Sequence, residues 1–391
     1  MVIKNFLLST DAGLGKGETP IFPVSIFKVK EGVNYNPEDK NYDLFKLACK
    51  VSAKRLFPNF SFLDAPFNLA FYQEGNYKTE VGYMGCRTRL MSDVTDLNNQ
   101  TTGGRGNLSF TSINLPRIAI RNGICLKERE KADMDNFYKE LADMMDLVRD
   151  QLLERFEVQC SKHSYNFPFL LEQGVWADGD KLKPNDRLRK LLKHGSLTLG
   201  FIGLAESLKA LIGKHHAESE EAQKLGLEII GFMRKRCDEY SKQYNLNFTL
   251  IATPAEGLSG RFVGIDKAIF GKIKGVTDRD YYTNSFHVPV YYQTSIKHKL
   301  EIEAPYHNLT NGGHISYIEL DGDTTTNVEA FESVIRMMKE TGIGYGAINH
   351  PVDRDPVCGY VGVIGDVCPG CGRKEFDSVP IERINEYKCN C

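Results

Sequence analysis

The strongest constraint on the fold is an alternation of extended apolar stretches with long amphipathic helices. From residue 131 to 163, Met134, Phe137, Leu141, Met144, Leu147, Val148, Leu152 and Phe156 recur at helical spacing. The methionines among them read as core filler. Residues 219–244 predict a second long helix, with Ser219 as its N-cap ahead of Glu220 and Glu221. Shorter helices are predicted over 43–56, 186–193 and 327–341. Strands are predicted over 21–28, 60–64, 108–117, 245–253, 288–292, 315–320 and 343–349. Residues 194–206 read as strand, glycine turn and helix. Helices alternating with strands predict an α/β sheet or barrel.

Composition narrows the function. The 391 residues carry a formal net charge of -2, with 41% hydrophobic and 26% charged side chains. That balance fits a globular chain with a core and provides no broad basic field for nucleic acid. A phosphate-bearing ligand must then be met locally, by clustered cations or helix N-termini. No apolar run reaches the roughly 18 residues that span a bilayer. The start, residues 1–8, is too short for a signal peptide's apolar region. The expected location is cytoplasmic, without membrane contact.

Two glycine-rich stretches invite a phosphate-loop reading. Residues 10–19 fail the test, because Gly17 follows Lys16 where Ser or Thr is required. In residues 254–261, Gly257 and Gly260 with Ser259 and Arg261 offer a phosphate seat in a loop. Residues 303–314 read as a polar loop. His287 and His307 read as structural histidines rather than acid/base groups.

The ten cysteines fall into two sets. Cys49, Cys86, Cys125, Cys160 and Cys237 are scattered singly, which argues for thiols rather than a disulfide frame. The other five lie between Cys358 and Cys391. There Cys368-Pro369-Gly370-Cys371-Gly372 has the form of a zinc knuckle, two thiolates reaching one ion from a tight turn. Cys358 adds a third thiolate. The usual first cysteine is replaced by Asp355, so the fourth ligand is open among Asp355, Cys389, Cys391 and water.

Among the single cysteines, Cys86 has the most unusual setting. It lies in Tyr83-Met84-Gly85-Cys86-Arg87-Thr88-Arg89, followed by Gly103-Gly104-Arg105-Gly106-Asn107 and the stretch 108–117. Spacing places a thiol on a turn beside a backbone that can approach a ligand closely. Spacing alone names no reaction, and a lone cysteine is more often a small apolar core residue.

Met84-Gly85-Cys86-Arg87-Thr88, Gly104-Arg105-Gly106-Asn107 and Ile113-Asn114-Leu115-Pro116-Arg117 together resemble the catalytic subunit of anaerobic (class III) ribonucleotide reductase. The resemblance runs from near Thr10 to near Arg383. It implies part of a ten-stranded α/β barrel of the glycyl radical enzyme type. Residues 1–350 would form the partial barrel, with Cys86 on a finger loop, and 351–391 a zinc ribbon with an altered tail. The implied activity is radical reduction of ribonucleoside triphosphates to 2'-deoxyribonucleoside triphosphates. In it Cys86, as a thiyl radical, takes a hydrogen from the ribose, and Asn107 hydrogen-bonds beside the reacting hydroxyls. Met84, Gly85, Ser259 and Gly260 are expected to touch substrate. Zinc would be held by Cys358, Cys368 and Cys371, with Asp355. The implied partners are a ribonucleoside triphosphate, formate or a thiol as reductant, and a radical-SAM activating protein.

Two departures qualify the resemblance. The family's radical glycine lies in an R-x-x-G-Y motif, and this chain reads Arg383-Ile384-Asn385-Glu386-Tyr387, with Glu386 at the glycine position. The family's amino-terminal part has no counterpart here, so the chain is expected to be a fragment or split subunit that needs a separate chain. Two alternatives stand beside this reading. A different glycyl-radical-type lyase would carry adjacent paired cysteines at the finger tip. A degenerate, non-catalytic subunit would bind zinc only.

Overall fold

A computed structural model describes residues 1–15, 17–374 and 379–384. The chain divides into two units, Phe67–His314 and a second made from both chain ends, Met1–Pro66 with Ile315–Cys391.

The unit Phe67–His314 is built on three parallel strands, Asn107–Asn114, Ser196–Ile202 and Asn247–Ala252, with Ser196–Ile202 in the centre. Each is separated from the next by helix, as parallel pairing demands. One face of the sheet is apolar: Ile113, Leu197, Leu199, Phe201, Phe248, Leu250 and Ala252 are buried in a single core. The helices Met134–Cys160 and Glu220–Tyr244 place Phe137, Leu141, Met145, Leu152, Ile229, Ile230 and Met233 in that same core. Burying each such side chain contributes about 1.5–3 kcal/mol. Among the alternate positions several are polar. Thr198 Oγ1 lies 2.9 Å from Thr249 Oγ1, and Ser112 Oγ 2.8 Å from Thr253 Oγ1.

The second unit holds a four-stranded mixed sheet in the order Ile26–Val29, Asn59–Phe62, Tyr345–Asn349, Ser316–Glu319. Phe27, Phe45 and Phe60 pack at tilted or edge-on angles beside it, with centroids 6.3–6.5 Å apart. A small antiparallel sheet joins Val361–Gly362, Asp353–Arg354 and Glu382–Arg383.

The fold is mixed α/β, and the sheets of the described residues do not close into a barrel. Four local expectations are corrected. Residues 288–292 form a turn rather than a strand. Residues 303–314 are not a loop throughout, because helix Ile296–Leu309 runs through Pro305. Residues 254–261 become helical at Gly257, where Gly257–Phe270 begins. The strand 108–117 stops at Asn114; Asn114 Oδ1 accepts from Arg117 N, and Pro116 fits the first turn of helix Leu115–Asn122. Among the described residues no helix is long and apolar enough to cross a membrane.

Candidate active site

Gly82–Met84 and Thr88–Leu90 pair antiparallel, with Met84 opposite Thr88. Gly85, Cys86 and Arg87 are the turn between them. Gly85 is exposed at φ 53, and Cys86 is half-buried at the middle of the turn.

The turn is fixed from both sides. Arg87 is 1% exposed, and its Nη1 donates to the carbonyls of Ala252 (3.3 Å) and Thr253 (3.2 Å). Arg89 donates through Nε and Nη2 to Asn68 Oδ1 (3.0 and 2.8 Å), and through Nη2 to the Phe67 carbonyl (2.9 Å). Gly312 and Gly313 form the bridge to the parallel sheet. Arg89 N donates to Gly312 O, His314 N to Arg87 O, and Ala252 N to Gly313 O. A Cβ on Gly313, at φ 144, would stand 2.2 Å from Arg87 O, so only glycine permits this approach.

Behind the hairpin lies a run of buried polar groups. His314 Nδ1 is 2.9 Å from the Thr310 carbonyl, which can only accept, so Nδ1 carries the proton. His314 Nε2 is then the acceptor for the Tyr83 hydroxyl at 2.8 Å. Burial holds the His314 imidazole neutral, well below its ordinary range, and pushes the Tyr83 phenol up to about 12. The His307 and His314 rings lie 4.2 Å apart, and His307 is held neutral by burial, its pKa lowered to about 3. Glu303 is buried against His287, Nδ1 to Oε2 3.3 Å, and against Lys299. Burial opposes its charge, yet Lys299 and His287 outweigh that and keep the carboxylate ionised.

Asn107 starts the first parallel strand, and its Nδ2 donates to Thr198 Oγ1 at 3.0 Å. Its Oδ1 is buried with no hydrogen-bond partner, so one acceptor is left for a ligand or water. The register sets it apart from the thiol turn. Asn107 pairs with Ser196, which lies opposite Asn247, whereas Thr88 bridges Gly313 at the level of Ile251 and the turn continues past Ala252. That is at least about five strand positions, or roughly 16 Å along the sheet. Ser259 and Gly260 lie in the first turn of helix Gly257–Phe270, just beyond the strand Asn247–Ala252. The Ser259 hydroxyl donates to Glu256 O at 2.8 Å, and Glu256 holds the unusual φ of 41°. This helix start lies at the strand end toward which the Cys86 turn points. Ligands of open α/β sheets gather at that end.

The cysteine cluster belongs to the other unit. Asp355, Cys358, Cys368 and Cys371 bring one ligand atom each within 4.8 Å of one another. Two similar turns build it. Gly359 N donates to Asp355 O and Gly372 N to Cys368 O, both at 2.8 Å, and both glycines take φ 77. Cys358 Sγ and Cys368 Sγ are 3.6 Å apart. Arg373 Nε donates to Asp355 Oδ2 at 2.7 Å and holds that carboxyl well below the usual range. Three thiols and a carboxylate at this spacing suit a tetrahedral divalent ion such as zinc. Cys389, Cys391 and Glu386 lie outside the described residues.

Sequence reasoning passed over Tyr83, Arg87, Gly313 and His314. Nothing in the local string Arg87-Thr88-Arg89 marks its guanidiniums as buried, and the Arg87 acceptors Ala252 and Thr253 lie far along the chain.

The fold is similar to that of solved anaerobic ribonucleotide reductases and of a glycerol dehydratase. A solved anaerobic ribonucleotide reductase superposes with TM-score 0.64 at 19% identity, over 90% of this chain and 49% of that one. The B12-independent glycerol dehydratase from Clostridium butyricum superposes with TM-score 0.60 at 12% identity, over 84% of this chain and 46% of that one. Sequence is more specific. The family model described as anaerobic ribonucleoside-triphosphate reductase matches residues 1–388, and the chain belongs to that family. It is 33% identical over 392 aligned residues to the Escherichia coli K12 anaerobic ribonucleoside-triphosphate reductase, covering 98% of this chain and 52% of that protein. The Enterobacteria phage T4 enzyme of the same name is 34% identical over 383 residues, covering 96% of this chain and 60% of that protein. The chain thus spans between half and three-fifths of the curated relatives it matches.

Proposed function

We propose that this chain supplies the thiol-bearing part of an anaerobic ribonucleoside-triphosphate reductase, working with further parts of the enzyme. The carrying observation is the hairpin itself, with Cys86 at its tip and Arg87 and Arg89 anchoring the turn and the return strand. In this reading residues 1–350 contribute strands to a ten-stranded barrel, and the hairpin is its finger loop. Cys86, as a thiyl radical, takes a hydrogen atom from the ribose: a C–H bond breaks and an S–H bond forms. The 2'-hydroxyl takes a proton and leaves as water, formate or a thiol supplies two electrons and the replacing hydrogen, and the Cys86 S–H returns its hydrogen atom to the ribose. Met84 and Gly85 line the sugar, Ser259 and Gly260 seat phosphate at a helix N-terminus, and Asn107 presents its spare Oδ1 to a polar ligand. Residues 351–391 act as a zinc ribbon through Cys358, Cys368, Cys371 and Asp355, where the ion supplies structural crosslinking. Glu386 has a side chain where a backbone radical needs a bare glycine Cα, so the radical store is assigned to another segment, charged by a radical-SAM activating protein. The compartment is the cytoplasm.

The test is anaerobic co-expression with the activating protein and neighbouring reading frames, scored by deoxynucleotide formation. Wild type is expected to turn over and Cys86→Ser to fall to background with an unchanged circular dichroism spectrum. Equal turnover in both would overturn the assignment.

A further inference from the structure

Away from the thiol turn, the base of the same hairpin opens on a cavity of about 670 Å3 whose wall mixes apolar side chains with several cations and amides. Arg89 forms part of its wall and is only 2% exposed. Its acceptors are Asn68 Oδ1, the Phe67 and Asn311 carbonyls and the Tyr83 phenol, all neutral. Burial pulls its pKa down to about 10, which measures how poorly the charge is compensated there. Arg234 also lines the cavity and adds to the positive field at Arg89. The one carboxylate in the wall, Asp238, is bound through both oxygens to Arg234 Nε at 2.9 and 3.1 Å. Arg105 is balanced by Asp93 at 3.7 Å. Lys242 brings an exposed ammonium to the wall, and Asn247, Asn308 and Asn311 bring amide groups. The cavity therefore carries an excess of about two positive charges, one of them deeply buried. A buried cation is retained where a counter-charge or ligand offsets it.

We propose that this cavity is a binding site for a phosphate-class anion, gripped by Arg234 and Lys242 in the field of the buried Arg89 charge. Guanidinium forks suit phosphate oxygens geometrically, and the lysine adds a mobile point charge. The site lies at the start of strand Asn247–Ala252, the end opposite the Ser259 and Gly260 seat. It is thus distinct from the substrate position proposed above and does not rest on that reading. Arg89 stands three residues from Cys86 on the return strand, so an occupied site stiffens the hairpin that carries the thiol.

The probe is inorganic tripolyphosphate, titrated into the purified full chain by calorimetry at low salt, with hydrogen exchange on the same samples. Saturable binding is expected, with protection gained over residues 82–90. Arg234→Gln with Lys242→Gln is expected to weaken it at least about tenfold, and Lys297→Gln, a distant exposed lysine, to leave it unchanged. Absence of saturable binding overturns the proposal. So does binding that survives the double substitution, that weakens equally with Lys297→Gln, or that protects residues 254–262 instead of the hairpin.

Discussion

Burial does different work on neighbouring titratable side chains of the Phe67–His314 unit. His216 and His307 are packed so completely that they stay neutral, with pKa values lowered to about 3. In the unfolded chain both protonate near 6.5. Between about pH 6.5 and pH 3 the unfolded state therefore binds more protons than the folded one. Stability is complete above that window and falls as pH drops through it, by about 1.4 kcal/mol per pH unit for each histidine. Glu303, held ionised by Lys299 and His287, acts in the same direction once pH falls below its unfolded value near 4.3. Urea unfolding at pH 7.5 and 5.5 should show a lower midpoint at 5.5, and His307→Gln should remove one histidine's share of the slope. A midpoint that does not move between these pH values would refute the neutral-histidine assignment. The sequence already suggested structural roles for His287 and His307. It did not show that Tyr83 and His314 join hairpin to core, because that bond spans more than two hundred positions.

Elements with a marked periodicity and a cap were legible before any coordinates. Helix Glu220–Tyr244 begins where Ser219 stands, and the Ser219 hydroxyl accepts from Ala222 N as an N-cap should. Helix Val328–Glu340 likewise has Asn327 accepting from Ala330 N. Helix Ile296–Leu309 was missed because its polar face and Pro305 imitate a loop; tertiary burial of Leu300, Glu303, Tyr306 and His307 holds it. The placement of the Cys86 hairpin was equally hidden, since it depends on Gly312 and Gly313 meeting strands more than sixty residues away in sequence. Gly313→Ala tests that joint. The added methyl collides with Arg87 O and requires a φ that alanine resists, so about 3 kcal/mol should be lost. Hydrogen exchange should localise the loosening to residues 82–90 and 310–314. An alanine variant as stable as wild type, with the hairpin still protected, would show that the hairpin is held by something else.

At the scale of the whole chain, the cysteine cluster and the thiol hairpin belong to different units. Residues 355–371 fold with both chain ends, where Asp353–Arg354 pairs with Val361–Gly362 and Glu382–Arg383. Composition and spacing revealed the cluster, because a knuckle is written in one short string; the partition into units was not readable, since it joins residues 1–66 to residues beyond 314. An ion bound only by the folded cluster stabilises that unit by mass action. Zinc is therefore expected at one equivalent per chain. Its removal by a chelator should raise hydrogen exchange within residues 1–66 and 315–374 and leave the core strand Ser196–Ile202 unchanged. Asp355 is the weak member of the set, since Arg373 competes with the ion for its carboxylate. Asp355→Cys should replace that contested oxygen with a thiolate and tighten zinc by about tenfold or more, read in competition with a chromogenic chelator. Were zinc affinity unchanged in Asp355→Cys and lost in Cys371→Ser, the ion would be held by the three thiolates alone and Asp355 would serve only to anchor Arg373.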